Sequence, residues 1–269
     1  VPNVVKPKVN TVRAVHPNEG LRAAYHADLE ALLAEAHTDL TLSLSAAVMA
    51  SMGRDRALAL DVAKPAKIEA TLAAWGKKWK FRFDKLAIEI ARKFAAKNFK
   101  FTEDAMRNAL AQAGFTVRFK PSKASIAAYK GTVAENVALI KSIPEQYLTG
   151  VQSAVWSSVN RGADMASLSK ALQRNYGATQ KRAALISRDQ NAKAKATIEN
   201  VRRQELGITQ AIWQHSAGGK EPRPSHVAMN GKVFDLKRGM WDPDEQEWVL
   251  PGQLINCRCT SRAIIPGIE

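Results

Sequence analysis

Three side chains in the last fifth of the chain are of the types that bind soft metals or act as nucleophiles: His226, Cys257 and Cys259. Thiolate and imidazole are the usual ligands of structural zinc, and a small turn-rich unit with little core gains most from such an ion. A fourth ligand would come from His215, Asp235 or elsewhere. Two other readings stay open. The cysteines are reduced thiols, one buried in a strand, with His226 hydrogen-bonded to a loop. Alternatively Cys and His form a nucleophile pair, although no orienting residue or oxyanion hole is apparent. With only two cysteines in 269 residues, a disulfide framework is excluded.

Two further polar groups could carry chemistry. Asp242, Asp244, Glu245 and Glu247 crowd one short segment. Carboxylates so placed can hold Mg²⁺ or Ca²⁺, but no glycine-centred calcium loop is present, and a solvated hairpin tip is the simpler expectation. Arg188 and Asp189 lie mid-helix beside an apolar face. They form either a buried contact joining that helix to the C-terminal unit or a solvated pair. No Gly-rich phosphate loop of the Walker type occurs, which excludes a P-loop ATPase.

The charge is lopsided: 40 Lys and Arg against 25 Asp and Glu, a formal net charge of +15. A chain this basic is expected to meet a polyanion or an acidic partner. Residues 64–123 and 161–220 supply the excess, with net charges of +10 and +7. In the segment 77–83, cations alternate with aromatics, a mixture that single-strand binders use for base stacking. On a helix, however, Trp79, Phe83 and Leu86 share one face while Lys77, Lys78, Lys80 and Arg82 fall mostly elsewhere. That predicts an amphipathic helix with a basic outer face able to touch phosphates. Lys193, Lys195, Arg202 and Arg203 are expected to add to the DNA-contacting surface. No membrane partner is expected, since no apolar stretch is long enough to span a bilayer. No secretory signal is apparent either.

These groups need elements to position them. Residues 1–16, punctuated by Pro2 and Pro7, read as an extended arm. Leu21, Tyr25, Leu29 and Leu32 predict a helix from 18 to 37, and residues 38–53 fit either helix or strand. A long helix follows Pro65. Thr102 is expected to cap a separate short helix, and Phe115–Phe119 to form a short strand. Helical stripes run up to Pro144 and again to Val159, stopped by Arg161-Gly162. A short helix is expected at 164–174, and a long one from 179 to 206 that Gly207 closes. Strands are expected at Ile208–Trp213 and Cys257–Ile265 among glycine and proline turns. The fold class is thus α+β and predominantly α-helical, with a long-helix N-terminal part and a small strand-containing C-terminal unit. The division expected is an arm over 1–16, a helical domain over 17–177 and a C-terminal domain over 178–269.

The C-terminal motifs come in a set order: Arg188-Asp189, Trp213, Arg223-x-x-His226, Gly231, Pro251-Gly252 and Cys257-Arg258-Cys259. This series resembles the C-terminal domain of the phage Mu F-like minor head proteins, also called phage head morphogenesis proteins. The resemblance implies a minor capsid protein of a tailed-phage virion. Such a protein associates with the portal and other head proteins, and accompanies double-stranded DNA in head assembly, packaging or ejection. It implies a site in the phage head near the portal, with host cytoplasm as the place of assembly. It brings no catalytic residue and no required cofactor. Relatives often carry Cys-x-x-Cys where this chain has Arg223-x-x-His226, so one expected zinc ligand is missing here. Some relatives continue into toxin domains; with few residues after Cys259, none is expected here. Two other functions fit the same residues: a metal-dependent hydrolase or nuclease centred on His226, Cys257 and Cys259, or an effector injected with the genome.

Overall fold

The computed structural model describes residues 11–49, 65–159, 165–218 and 221–265. Most of the expected arm, residues 1–10, lies outside them, as do Arg161-Gly162 and Pro266. The elements in order are β1 (Thr11–Val12), α1 (Glu19–Met49), α2 (Pro65–Gln112), α3 (Lys123–Val159), α4 (Met165–Glu205) and β2 (Gln210–Gln214). There follow α5 (Pro224–Met229), β3 (Val233–Asp235), β4 (Met240–Asp242), β5 (Glu247–Val249) and β6 (Thr260–Ile264). The predominantly helical α+β class with a small antiparallel C-terminal part is as expected. No described helix is long and apolar enough to cross a membrane.

The helices are longer and fewer than their local signals imply. Residues 38–49 continue α1, burying Leu40, Leu44 and Ala47. Helix α2 runs straight through Thr102, which caps nothing. Its hydroxyl is buried and turns back to Asn98 Oδ1 at 3.5 Å. Asn98 in turn donates to Asn191 Oδ1 on α4 at 2.8 Å. Helix α3 passes through Pro144, although proline forfeits a backbone donor. Ile140, Ile143, Tyr147, Val151 and Val155 form a buried stripe on both sides of it, and that packing offsets the lost bond. The two helices expected over 164–206 are one, α4, whose face is held by Leu168, Leu172, Ala183 and Ile186.

The residues group into two compact units, each drawn from separated stretches of chain. One combines Ala23–Arg92 with Val133–Ser187. Its aromatic ladder on α2, Trp75, Trp79 and Phe83, steps by four and is almost wholly buried. Trp75 Nε1 donates to the Ala36 carbonyl at 3.0 Å and Trp79 Nε1 to Asp39 Oδ2 at 2.6 Å. The expected aromatic face is thus real, with Leu86 at its half-buried margin.

The other unit combines Val1–Arg22, Lys93–Thr132 and Arg188–Glu269. It holds an antiparallel sheet in the order β1-β6-β2-β3 and a separate β4–β5 hairpin. In the sheet Ala211 faces Ala263 on one side and Phe234 on the other, and Trp213 faces Ser261. Alternation along β2 sends Ala211 and Trp213 inward, both fully buried. Gly207 ends α4 as expected: its φ is +74°, and Ile208 N–H reaches back to the Arg203 carbonyl at 2.9 Å. Residues 115–119 are not a strand. Phe115, Val117 and Phe119 alternate inward against this core, but no strand among the described residues pairs with them.

Candidate metal centre

Helix α5 is only six residues long and starts at Pro224. It turns His226 inward, where the ring is 2% exposed and meets the Trp213 ring edge-on at 5.2 Å. Cys257 and Cys259 come from the loop just before β6, not from the strand. Two-residue spacing in extended chain puts both side chains on one face. The loop is shaped by Pro251-Gly252, with Gly252 at φ +87°, and by Asn256 at φ +62°. Asn256 explains the mid-helix polar pair. Arg188 Nη2 donates to its Oδ1 at 2.8 Å, and its N–H donates to Asp189 Oδ1 at 3.2 Å. Arg188 and Asp189 therefore join α4 to the cysteine loop by gripping a third residue.

The two thiols converge on one imidazole nitrogen. His226 Nδ1 lies 3.5 Å from Cys257 Sγ and 3.6 Å from Cys259 Sγ. One ligand atom from each residue falls within 4.8 Å of the others, and all three residues are buried. The opposite nitrogen, Nε2, is 3.1 Å from Asp242 Oδ2. Asp242 is fully buried, and its Oδ1 accepts the Asp244 N–H at 3.0 Å. Burial opposes the Asp242 charge, but the Asp244 and Glu245 backbone N–H groups and His226 outweigh it, so its carboxyl titrates below the usual range.

The sulfur atoms are polarised too. Cys257 is acidified well below the usual thiol range: the Cys259 thiol hydrogen-bonds to it, burial opposes, and His226 and the Gly252 N–H add their support. The same hydrogen bond, with burial, pushes Cys259 upward. The two thiols therefore give up their first proton easily and hold the second. Burial works against a charge on His226, yet Cys257 and Asp242 raise its affinity for a proton.

Two sulfurs and one nitrogen, backed by a carboxylate on the far side of the imidazole, fit a zinc ion. Two thiolates would cancel its charge, and S₂N donors suit it better than magnesium or calcium. Trp213 Nε1, buried beside Cys259 and without a conventional partner, is a donor suited to a charged thiolate. Asp242 is the residue that sequence reasoning missed in this role. It stood among the loop carboxylates, 16 positions from His226, with no signal that it faces the imidazole. The remaining carboxylates do not join it. Glu245 pairs with Arg223 at 3.4 Å, and Asp244 on the β4–β5 turn and Glu247 at the start of β5 are exposed. Among the described residues His226, Cys257 and Cys259 form the one such donor cluster. Asp235 instead caps a turn, accepting the N–H groups of Lys237 and Arg238.

The other motif residues build the surroundings. Arg223 Nη1 donates to the Ile255 carbonyl at 3.0 Å, and Arg258 Nη1 to the Gly218 carbonyl at 2.8 Å. Gly231 takes φ +76° and donates its N–H to the Trp213 carbonyl. A cavity of about 280 Å³ opens beside the cluster, bordered by His215, Ser216, Glu221, Arg223 and Arg258 together with the three donor residues.

The cations expected to meet DNA divide in two. On α2, Lys77, Lys78, Lys80 and Arg82 are exposed. Lys78 pairs with Asp39 at 2.7 Å, Lys80 with Glu145 at 3.0 Å, and Arg82 with Glu35. On α4 the outcome differs from expectation: Lys195, Arg202 and Arg203 are buried. Lys195 and Arg203 grip Glu199 at 2.7 and 2.5 Å. Arg202 binds Glu103 and Glu205. Cations so enclosed cannot reach a phosphate in this fold. Lys193 lies between these cases, half-buried and 3.7 Å from Asp189.

Strands β2, β3 and β6 of the sheet, the long helix feeding them and the thiol–imidazole cluster all fall in the C-terminal half, and residues 149–262 match the family model described as Phage Mu protein F like protein. The C-terminal region of this chain is thus similar to the phage Mu F-like proteins, in agreement with its motif series. An uncharacterized protein of Haemophilus influenzae is 35% identical over 136 residues, which cover 51% of this chain and 29% of that protein. The chain therefore matches less than a third of that relative's length. No solved structure matches it.

Proposed function

We propose that the protein is a structural, minor component of a tailed-phage head. It acts in head morphogenesis at the portal and contacts duplex DNA non-specifically. Its places are the assembled virion and, before that, the host cytoplasm. The observation that carries this reading is the match of residues 149–262 to the phage Mu F-like family. The exposed cations of α2 support the DNA contact. Their own ion pairs are no obstacle: an exposed pair is worth about 0–1 kcal/mol, so a phosphate can displace the carboxylate. Zinc held by His226, Cys257 and Cys259 would staple the loop before β6 to α5, supplying stability to a unit with a small core.

Binding of the purified protein to two unrelated duplexes over a range of salt tests the DNA contact. Equal affinities falling steeply with salt are expected, with a log–log slope of about −0.9 per phosphate neutralised. Lys77→Ala and Lys80→Ala should each flatten the slope by about one. A flat salt response in the intact protein would refute DNA contact. It would leave docking on acidic head proteins as the role of the charge, read out by loss of head incorporation in the same variants.

A metal-dependent hydrolase is the second reading, favoured by the opening of the donor cluster onto a cavity. Zinc-loaded protein that cleaves DNA or a peptide library, and stops doing so as Cys259→Ser, would replace the structural reading.

A further inference from the structure

Zinc takes four ligands, and the described residues bring three together. Among the described residues no further His, Cys, Asp or Glu joins the group. Asp242, the carboxylate closest at hand, is on the wrong side: it binds Nε2, whereas the sulfurs face Nδ1. The cavity does meet the cluster. Its volume of about 280 Å³ has all three donor residues in its wall, room for several waters or a small acid, since one water occupies about 30 Å³.

The electrostatics of that wall are specific. Two thiolates and a neutral imidazole leave a bound dication with no net charge. An anionic fourth ligand would then carry its charge uncompensated into the cavity. Arg223 and Arg258 stand in the wall to meet it, against the single carboxylate of Glu221. Arg223 is already matched by Glu245 at 3.4 Å through Nε and by the Ile255 carbonyl through Nη1. Among the described residues Arg258 donates to the Gly218 carbonyl and meets no carboxylate. His215 is the one imidazole in the wall besides His226, and its Nδ1 accepts the Ala217 N–H at 3.2 Å.

Resting on the zinc reading above, we infer that the centre keeps its fourth coordination position open to an exchangeable carboxylate that enters through this cavity, where Arg258 and Arg223 receive its charge. The site is then a receptor for an acidic group as well as a staple, unlike a structural centre closed by four ligands of its own chain.

Cobalt(II) substitution tests this without any assay of activity. Apo-protein titrated with Co²⁺ should show thiolate-to-cobalt charge-transfer bands and the strong visible bands of a four-coordinate ion. Acetate should then shift the visible bands saturably. Arg258→Gln should bind acetate about tenfold more weakly while keeping the cobalt bands and the near-ultraviolet dichroism of buried Trp213. A tripeptide presenting its C-terminal carboxylate, titrated in parallel, separates the sources: tighter binding than acetate assigns the cavity to a polypeptide end, equal or weaker binding to a free acid. Cobalt bands that ignore both probes would overturn the inference while leaving the metal reading intact. The open position is equally overturned if His215→Ala or Glu221→Gln changes the visible bands before any probe is added, since that residue would be the fourth ligand. Absence of thiolate bands would sink the metal reading and the open position together.

Discussion

Replacing Glu199 with glutamine should cost the unit containing β6 a substantial share of its stability. Glu199 is 3% exposed and takes Lys195 Nζ at 2.7 Å on one oxygen and Arg203 Nη2 at 2.5 Å on the other. Arg203 continues to the Ser261 hydroxyl at 2.7 Å and the Ser261 carbonyl at 2.9 Å, so the carboxylate anchors the link between α4 and β6. Glutamine has the same shape but no charge, and it would leave two buried cations beside one neutral amide. Removing one partner of a buried pair costs about 3–5 kcal/mol, against about 5–15 kcal/mol for a whole domain. Lys195 offers partial relief, because burial already lowers its pKa despite Glu199. Without that carboxylate it should fold uncharged. The unfolded chain then binds a proton that the folded chain rejects, so the deficit should shrink as pH rises. Urea unfolding followed by the near-ultraviolet dichroism of Trp213, at neutral and alkaline pH, measures both effects. Lys195→Met in the Glu199→Gln background should recover part of the loss. A deficit under about 1 kcal/mol, or one that grows with pH, would refute a buried, charge-compensated Glu199.

Gly239→Ala should unravel the β4–β5 hairpin. Its φ is +85°, and an added Cβ would meet the Val249 carbonyl oxygen at 2.3 Å. A loss of at least about 1–3 kcal/mol and of the coupled dichroism of Trp241 and Trp248, whose rings lie 5.8 Å apart, is the expected readout. Asp242→Asn should weaken zinc binding about 10–100-fold, measured by competition with a chromogenic chelator, while Asp244→Asn should not. The unit with α3 should lose stability on acidification through His37. Burial lowers its pKa below the usual 6.5 while it binds the Tyr147 hydroxyl at 2.6 Å and stacks on Tyr176 at 4.1 Å. The unfolded chain takes up the proton first, so stability should fall from about pH 6.5 down to the folded pKa and level off below it. His37→Gln should remove that slope in a pH series of thermal melts.

Periodicity revealed the helical faces and the Gly207 stop because both are local properties. Helix ends were harder to read because they depend on distant partners. Thr102 has the chemistry of a cap, yet Asn98 and, across to α4, Asn191 make a buried polar contact that only the fold supplies. Pro144 should end a helix, but Ile143 and Tyr147 are pinned by packing on either side. Phe115–Phe119 alternates like a strand because its face is buried, while no strand among the described residues pairs with its backbone. Cys-x-Cys and His226 were legible as a donor set from residue type alone. Asp242 was not, because a carboxylate in an acidic loop looks like every other. The i, i+4 spacing of Lys195, Glu199 and Arg203 was visible in the sequence. Their burial was not, because it depends on Ser261, 58 residues beyond Arg203.

The interleaving of the two units sets a timetable for synthesis. A chain made from its N-terminus has every residue of the Ala23–Arg92 and Val133–Ser187 unit before residue 188 is added. That unit can close early, as domains generally do during translation. The other must wait. Val12, Leu110 and the Phe115–Phe119 segment are synthesised long before the sheet that covers them. β6, which joins β1 to β2, is the last of the described strands to emerge. Until then the ribosome carries apolar surface without its cover, so a stall or cleavage ahead of Thr260 would leave an exposed sheet edge on a half-finished protein.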